Sequence, residues 1–341
     1  MAERPRVSVV MAVRNGAPYL QQAVDSILHQ TLRDFELVVV DDGSSDSTPD
    51  LLRRAESADP RVRVLRQEPA GLVASLNRGC RAAVAPLLAR MDADDVAFAD
   101  RLARQAEFLD RHPRAALVGS AVVRIDAAGR EIKRNVCPTT HAEIVRELDR
   151  YNCFTHSTVM MRAERFTAAG GYRDAYLHAE DYDLWLRLAE HDELANLPDP
   201  LLYYRVYPDQ VSMRHLEQQV VSSVGARAAA RMRRTTGADP TPARGPVTPA
   251  LLHQWGVDQA ALNEAMDDGY RYAVYLMRQS GLRREAVALL RGDTRLRKLL
   301  ADACWREAGN SLRRGRIGDG LAWGVEAWRT GRVLRSAGAN P

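Results

Sequence analysis

Three carboxylates fall within four positions, at Asp92, Asp94 and Asp95. Two unit charges roughly 4 Å apart repel by about 4 kcal/mol at an effective dielectric near 20. A hard divalent cation relieves that repulsion. Mg2+ or Mn2+ is commonly held by one or two carboxylates together with substrate phosphates. Taken alone, the cluster also reads as an acidic loop before a helix, with Asp95 or Asp100 as cap. A second pair, Asp41-Asp42, precedes Gly43-Ser44. A carboxylate there is an acceptor for a base N–H, and equally part of an ordinary turn. A third group is Glu180-Asp181-Tyr182-Asp183-Leu184-Trp185. Helical phasing puts Glu180, Asp183, Arg187 and Glu190 on one polar stripe, and Asp181 beside Leu184, Trp185 and Leu188. Asp181 is then either an acid stabilised by the helix dipole or a general base tuned by desolvation and neighbouring acids.

The elements that must position these acids are legible from periodicity. Val7 to Val13 is a β-branched run that predicts a buried strand. Phe35 to Val40, Val62 to Leu65, Leu87 to Met91 and Ala116 to Ile125 read the same way. Between them lie helical patterns: Leu20, Ala23, Val24, Ile27 and Leu28, then Thr48–Ala58 with Ser47 as its expected cap, Leu72–Ala83 and Asp100–Arg111. Such alternation predicts a parallel sheet with helices on both faces, and ligands beyond the carboxyl ends of the strands. Two of the acidic groups follow strands and should meet on one rim. Beyond residue 126 the pattern is mixed: a strand over Val159–Met161, a helix over Asp181–Glu190 and a late strand over Leu201–Val206. The Pro- and Gly-rich stretch Thr235–Pro249 reads as a linker, and the remainder as helical. Gly281-Leu282-Arg283-Arg284 and Gly315-Arg316-Ile317-Gly318 lie 34 residues apart, a weak echo of tetratricopeptide-like helix pairs for which plain hairpins are the simpler account.

Composition narrows the class. The 341 residues are 46% hydrophobic and 27% charged, which excludes a disordered or collagen-like chain. No apolar run approaches the roughly 18 residues of a membrane span. The N-terminus lacks signal-peptide architecture, so an unsecreted, cytoplasmic protein is expected. Cys80, Cys137, Cys153 and Cys304 show neither C-x-x-C nor zinc-finger spacing, so reduced thiols are expected. Residues 1–220 carry 28 basic and 33 acidic side chains, whereas residues 221–341 carry 20 and 11. A basic module suits an acidic partner such as anionic headgroups, although Arg-rich usage with only two lysines fits a compositional bias as well. No G-x-G-x-x-G follows the first strand, which disfavours a hydride-transfer Rossmann enzyme, and no G-x-x-x-x-G-K-[ST] loop occurs.

In order, Val7-Ser8-Val9-Val10-Met11-Ala12-Val13-Arg14-Asn15, Phe35 to Asp46 with Asp41-Asp42-Gly43-Ser44, Met91-Asp92-Ala93-Asp94-Asp95, Gly170-Gly171-Tyr172 and Glu180 to Trp185 resemble the inverting family 2 glycosyltransferases. The resemblance spans about residues 5–215. It implies a GT-A fold: a Rossmann-like mixed α/β sheet with helices on both faces, here followed by an all-helical extension. The expected division is 1–220 for the transferase domain (1–110 binding the nucleotide sugar, 111–220 facing the acceptor), 221–249 for a linker and 250–341 for the extension. By position, the resemblance implies that Ala12, Val13 and Arg14 line the nucleotide. Asp42 would accept from the pyrimidine base with Asp41 beside it. Asp92 and Asp94 would hold the metal and diphosphate, with Asp95 an alternative ligand. Asp181 would be the catalytic base, and Glu180 and Trp185 would shape the acceptor side. A histidine common in the family is replaced here by Tyr207, so no role is carried over for it.

The implied partners are a nucleotide-diphosphate sugar, with uridine the default base, a divalent metal (Mn2+ or Mg2+), and a glycan or lipid-linked hydroxyl acceptor. The reaction would be transfer with inversion in bacterial cell-surface polysaccharide synthesis. The basic C-terminal helices are expected to touch the inner membrane face or a protein, and no nucleic acid is expected. A sugar nucleotidyltransferase shares the acids, but its basic Gly-rich loop near the first strand is missing. A non-catalytic scaffold would have no need of Asp42, Asp92, Asp94 and Asp181 together.

Overall fold

The computed structural model describes residues 4–207, 210 and 214–279. Nine strands form one sheet: β1 (Val7–Val13), β2 (Phe35–Asp42), β3 (Val62–Gln67), β4 (Leu87–Asp92), β5 (Val96–Ala97), β6 (Ala115–Ile125), β7 (Glu131–Arg134), β8 (Met160–Arg162) and β9 (Glu193–Arg205). Their order is β3-β2-β1-β4-β8-β6-β9-β5, with β7 beside β6. The helices are α1 (Leu20–Leu28), α2 (Thr48–Ala58), α3 (Leu72–Ala82), α4 (Arg101–Arg111), α5 (His141–Leu148), α6 (Ala163–Ala168), α7 (Glu180–Ala189), α8 (Leu216–Thr236), α9 (Pro249–Gln254) and α10 (Gln259–Gln279).

Strands β1 to β4 pair in parallel, as their alternation with helices predicts. The all-parallel expectation fails after β4. Strand β8 follows a short 3-10 turn, His156–Thr158, and runs antiparallel to both β4 and β6. A strand fed by a turn carries no crossover helix that would return it in the parallel sense. The sheet is therefore mixed.

Pleating explains the layers. Val7, Val9, Met11 and Val13 of β1 share one core with Leu20, Ile27, Leu52, Leu102 and Leu109 from α1, α2 and α4. The alternate residue Val10 faces α3, where a Cβ on Gly79 would lie 2.6 Å from its Cγ1. Glycine is what lets α3 approach this closely.

Two expectations need correction. Ser47 makes no side-chain capping bond; the Asp46 carboxylate instead accepts from the Thr48 N–H at 2.9 Å. Residues 221–236, expected at the start of a linker, are helical. Val221, Ala226, Ala229 and Ala230 are buried helix-compatible residues, and the break comes at Gly237 with φ +73°. Residues 1–205 and 221–257 form one compact unit, so the helix after Val221 belongs with the sheet rather than to a spacer. Among the described residues, those of 206–220 and 258–279 group separately, and there the Tyr270 hydroxyl donates to Glu217 at 2.6 Å. The glycine echo at Gly281 and Gly315 lies outside the described residues. Among the described residues, no helix is long and apolar enough to cross a membrane.

Candidate active site

The register of β1 sets the rim. Ala12 pairs with Val40 on one side and Asp92 on the other, and Val13 pairs with Asp41. The two aspartate groups thus flank the end of β1. Val13 is buried, so only its backbone can face a ligand, whereas Arg14 is exposed. The loop after β1 is tied to the loop after β2. Asn15 N donates to Ser44 Oγ at 2.9 Å, Ser45 N to Asn15 Oδ1 at 2.8 Å, and Gly16 N to Thr48 Oγ1 at 2.9 Å.

Asp41 accepts from Ser44 N at 3.1 Å. Asp42 accepts from Gln67 Nε2 at 2.6 Å, Ala70 N at 2.7 Å and Gly71 N at 2.9 Å. Burial opposes its charge, but these donors prevail and hold the carboxyl below its ordinary value. A carboxylate offers about four acceptor positions. Three are taken by Gln67, Ala70 and Gly71, which fix the loop before α3, and the Ser75 hydroxyl adds to what favours the charge.

The acidic cluster is compact. One carboxylate oxygen from each of Asp92, Asp94 and Asp95 lies within 4.8 Å of the others. Asp92 pairs with the buried Arg90 and accepts from Ser157 Oγ at 2.8 Å. Asp95 is 1% exposed; its Oδ1 accepts from Arg205 N at 2.9 Å, and its Oδ2 has no partner. Burial, then Asp94 and Asp92, push the Asp95 carboxyl well above its ordinary value. A buried carboxylate oxygen without a donor, beside two more carboxylates, fits a hard divalent cation. Arg205 braces this loop from β9, donating to the Asp94 carbonyl at 2.8 Å and to Gln22 at 2.7 Å, with its guanidinium over Tyr19.

The third group sits at the N-terminus of α7. Asp181 accepts from Asn152 Nδ2 at 2.8 Å and from its neighbour Tyr182 N–H at 2.7 Å. Burial raises its carboxyl despite these bonds. Glu180 is 4% exposed with Oε2 unpartnered, and burial together with Asp181 pushes it up to about 8. The Arg90 guanidinium lowers both of these carboxyls and also pairs with Asp92, so one buried cation links the two acidic groups. The expected meeting of Asp41-Asp42 with Asp92-Ala93-Asp94-Asp95 is the one the register of β1 gives; the α7 acids lie outside that expectation and join through the field of Arg90.

Other expectations do not hold as written. The stripe of Glu180, Asp183 and Arg187 is interior, not solvated: Asp183 is 0% and Arg187 5% exposed. They form an ion pair at 2.6 Å, and Arg187 also donates to the Gly171 carbonyl at 2.8 Å. Trp185 is wholly buried against His156 and Phe154, so it can shape the acceptor side only from behind. His156 shares a hydrogen bond of 2.8 Å with the Tyr172 hydroxyl, and burial and Arg90 push its imidazole well below its ordinary value. Asn152, Ser157 and His156 carried no signal in the sequence, because their partners Asp181, Asp92 and Tyr172 lie 29, 65 and 16 positions away. Arg90 lies two residues from Asp92, but nothing local marks it as buried.

Comparisons with known proteins agree with this geometry. The pattern of Glycosyl transferase family 2 matches residues 8–166. The chain is 33% identical over 207 residues to the amylovoran biosynthesis glycosyltransferase AmsE of Erwinia amylovora, covering 60% of this chain and 77% of that one. It is 33% identical over 205 residues to the O-antigen biosynthesis glycosyltransferase WbnJ of Escherichia coli, covering 59% and 80%. The fold is similar to that of S. aureus TarS residues 1–349 in complex with UDP-GlcNAc, with TM-score 0.56, 16% identity and coverage of 96% and 92%. It is also similar to the mannosyltransferase PcManGT of Pyrobaculum calidifontis in complex with GDP-Man and Mn2+, with TM-score 0.53, 20% identity and coverage of 96% and 86%. A mixed GT-A sheet, an aspartate triad at its rim and relatives in bacterial polysaccharide synthesis together place this chain in glycosyltransferase family 2.

Proposed function

We propose that the chain transfers a hexosyl or N-acetylhexosaminyl group, with inversion, from a UDP-sugar to a hydroxyl of a glycan or lipid-linked acceptor in bacterial cell-surface polysaccharide synthesis. The observation that carries this reading is the pairing of a desolvated, Asn152-oriented Asp181 with an aspartate triad, both in the field of Arg90. A general base needs a raised pKa and a fixed direction, and Asp181 has both.

The steps assign roles to this chain's own groups. Asp42, held charged and in place by its donors at the end of β2, takes the base N–H. The loop Asn15–Ala17, tied to the β2 loop, gives the nucleotide a rigid floor. Asp181 removes the proton from the acceptor hydroxyl as its oxygen attacks the anomeric carbon from the face opposite the diphosphate. Asn152 holds the carboxylate in line and favours its charged form before the proton arrives. Asp92 and Asp94, with Asp95, would hold a divalent cation, which when bound neutralises the charge that develops on the departing diphosphate. The basic residues of 221–341 support a station on the cytoplasmic membrane face, near lipid-linked acceptors.

A thermal-shift screen of UDP- and GDP-sugars with Mn2+ or Mg2+ tests the donor, because a ligand that binds only the folded state raises the melting temperature by mass action. Asp181→Asn abolishes transfer and leaves donor binding largely intact; near-normal turnover removes Asp181 from the mechanism. Asp94→Ala weakens metal-dependent donor binding, and an unchanged metal dependence refutes its place as a ligand.

A further inference from the structure

A cavity of about 680 Å3 opens beside the α7 N-terminus. Its inner side is α3, from Gly71 to Asn77, together with Tyr172 and Glu180; its outer side is residues 239–243. That outer segment lies beyond the family-matched residues 8–166. It is held at both ends. Arg173 Nη1 donates to Asp239 at 2.7 Å and to Thr241 Oγ1 at 3.0 Å, and Tyr176 shares a hydrogen bond of 2.7 Å with the same hydroxyl. Further along, the wholly buried Val247 donates its N–H to the Ala175 carbonyl at 2.8 Å.

Charges couple this strap to the helix bearing Asp181. Arg187 pairs with Asp183 at 2.6 Å, Arg173 approaches Asp183 at 3.9 Å and holds Asp239. Arg233 approaches Asp239 at 3.5 Å and returns to α7 through Glu190 at 2.7 Å. The circuit of alternating charge starts and ends on α7. Such a segment is a built wall, fixed in register with the catalytic helix.

The chemistry of the cavity is two-sided. Glu180, 4% exposed and with Oε2 unpartnered, lines it and lacks a hydroxyl donor. Leu72, Val73, Pro242 and Ala243 offer apolar surface. A pyranose ring has both faces, hydroxyls at its rim and C–H groups on its flat sides, and the volume falls within the range of small-molecule pockets.

We propose that residues 239–243 form the outer wall of a pyranose subsite whose inner wall is Glu180, and that this wall sets which sugar ring is admitted. The inference rests on the glycosyl-transfer reading above. The ring belongs to the donor or to the acceptor, and the experiment separates the two.

Ala243 is exposed, so Ala243→Trp narrows the cavity without disturbing the core, and its melting temperature stays that of the parent chain. Calorimetric titration with Mn2+ compares UDP, GDP, UDP-GlcNAc, UDP-glucose and GDP-mannose on both proteins. For a donor ring, Ala243→Trp keeps bare-nucleotide affinity within about twofold and lowers the nucleotide-sugar affinity at least tenfold. For an acceptor ring, both affinities hold, and saturation transfer from the methyl glycosides of glucose, galactose and N-acetylglucosamine to the nucleotide-saturated protein is lost. If neither changes, the strap is no sugar wall and the proposal is overturned. A parent chain that binds no nucleotide at all refutes the glycosyl-transfer reading itself, and the inference falls with it.

Discussion

Replacing Asn152 by Leu tests how Asp181 is tuned. The side chain keeps its size but loses the 2.8 Å donor to Asp181 Oδ2, a bond that favours the charged carboxylate. Hydrogen bonds to charged groups contribute about 1.5–3 kcal/mol. That loss raises the Asp181 carboxyl further, and at about 1.36 kcal/mol per tenfold it disfavours the charged form by roughly 10- to 100-fold. The base acts deprotonated, so a higher pKa carries the acid limb of the pH–rate profile to higher pH. Below the limb, kcat falls about 10- to 100-fold at fixed pH, since each pKa unit removes tenfold of the active form. Raising the pH recovers this part. Any deficit remaining on the alkaline plateau measures lost orientation, because Asn152 also anchors the Phe154 N–H at 3.1 Å. The assay is nucleotide release across the pH range for both proteins. An acid limb that does not move refutes the claim that Asn152 sets the charge state of Asp181.

Further outcomes follow from the same geometry. Glu180 is pushed up to about 8 and is neutral where Asp181 ionises, so Glu180→Gln leaves the acid limb of kcat in place; a limb that moves to lower pH shows that Glu180 carries its charge there. Asp183→Ala leaves Arg187 charged and buried at 5% exposure, which costs about 3–5 kcal/mol in urea unfolding. The double variant Asp183→Leu with Arg187→Met restores much of that stability, and equal loss in the single and double variants contradicts an ion-pair account.

The sequence announces what is local. The run Val7–Val13, the spacing of Leu20, Ala23, Val24 and Ile27, and the cluster Asp92, Asp94 and Asp95 each carry their signal within a dozen residues; the run forms β1, the spacing forms α1, and the three carboxylates come together. What it conceals is distant. Ser157 reaches Asp92 across 65 positions, and Arg205 reaches Asp95 across 110. An arginine reads as an exposed polar residue, yet Arg90 inside β4 and Arg101 at the start of α4 are both buried. The stripe Glu180, Asp183, Arg187 obeys helical phasing, but phase alone does not say which face meets water. Residues 221–236 were hidden for another reason: small residues such as Ala228 to Ala230 make a helix without the large apolar stripe that betrays one.

Charge accounting at the rim explains why Arg90 matters. Asp92, Asp94, Asp95, Glu180 and Asp181 are five carboxyls on the side where a diphosphate must arrive, and like charges would turn it away. The protein lessens that charge in two ways. Burial raises the carboxyls of Asp95, Glu180 and Asp181, and Glu180, at about 8, carries little of its charge at neutral pH. Arg90, held charged by Asp92, offsets part of the remainder. Arg205, the other arginine braced against the triad, spends its guanidinium on the Asp94, Asp126 and Ala127 carbonyls and on Gln22, and so fixes the loop more than it cancels its charge. The rim is left with an acidic excess at Asp92 and Asp94. Acids retained in excess beside an orphaned Asp95 oxygen make an electrostatic liability unless a cation accompanies the donor. On the proposed reading, donor binding depends on the metal because of this rim's charge, quite apart from any role the cation has in bond breaking.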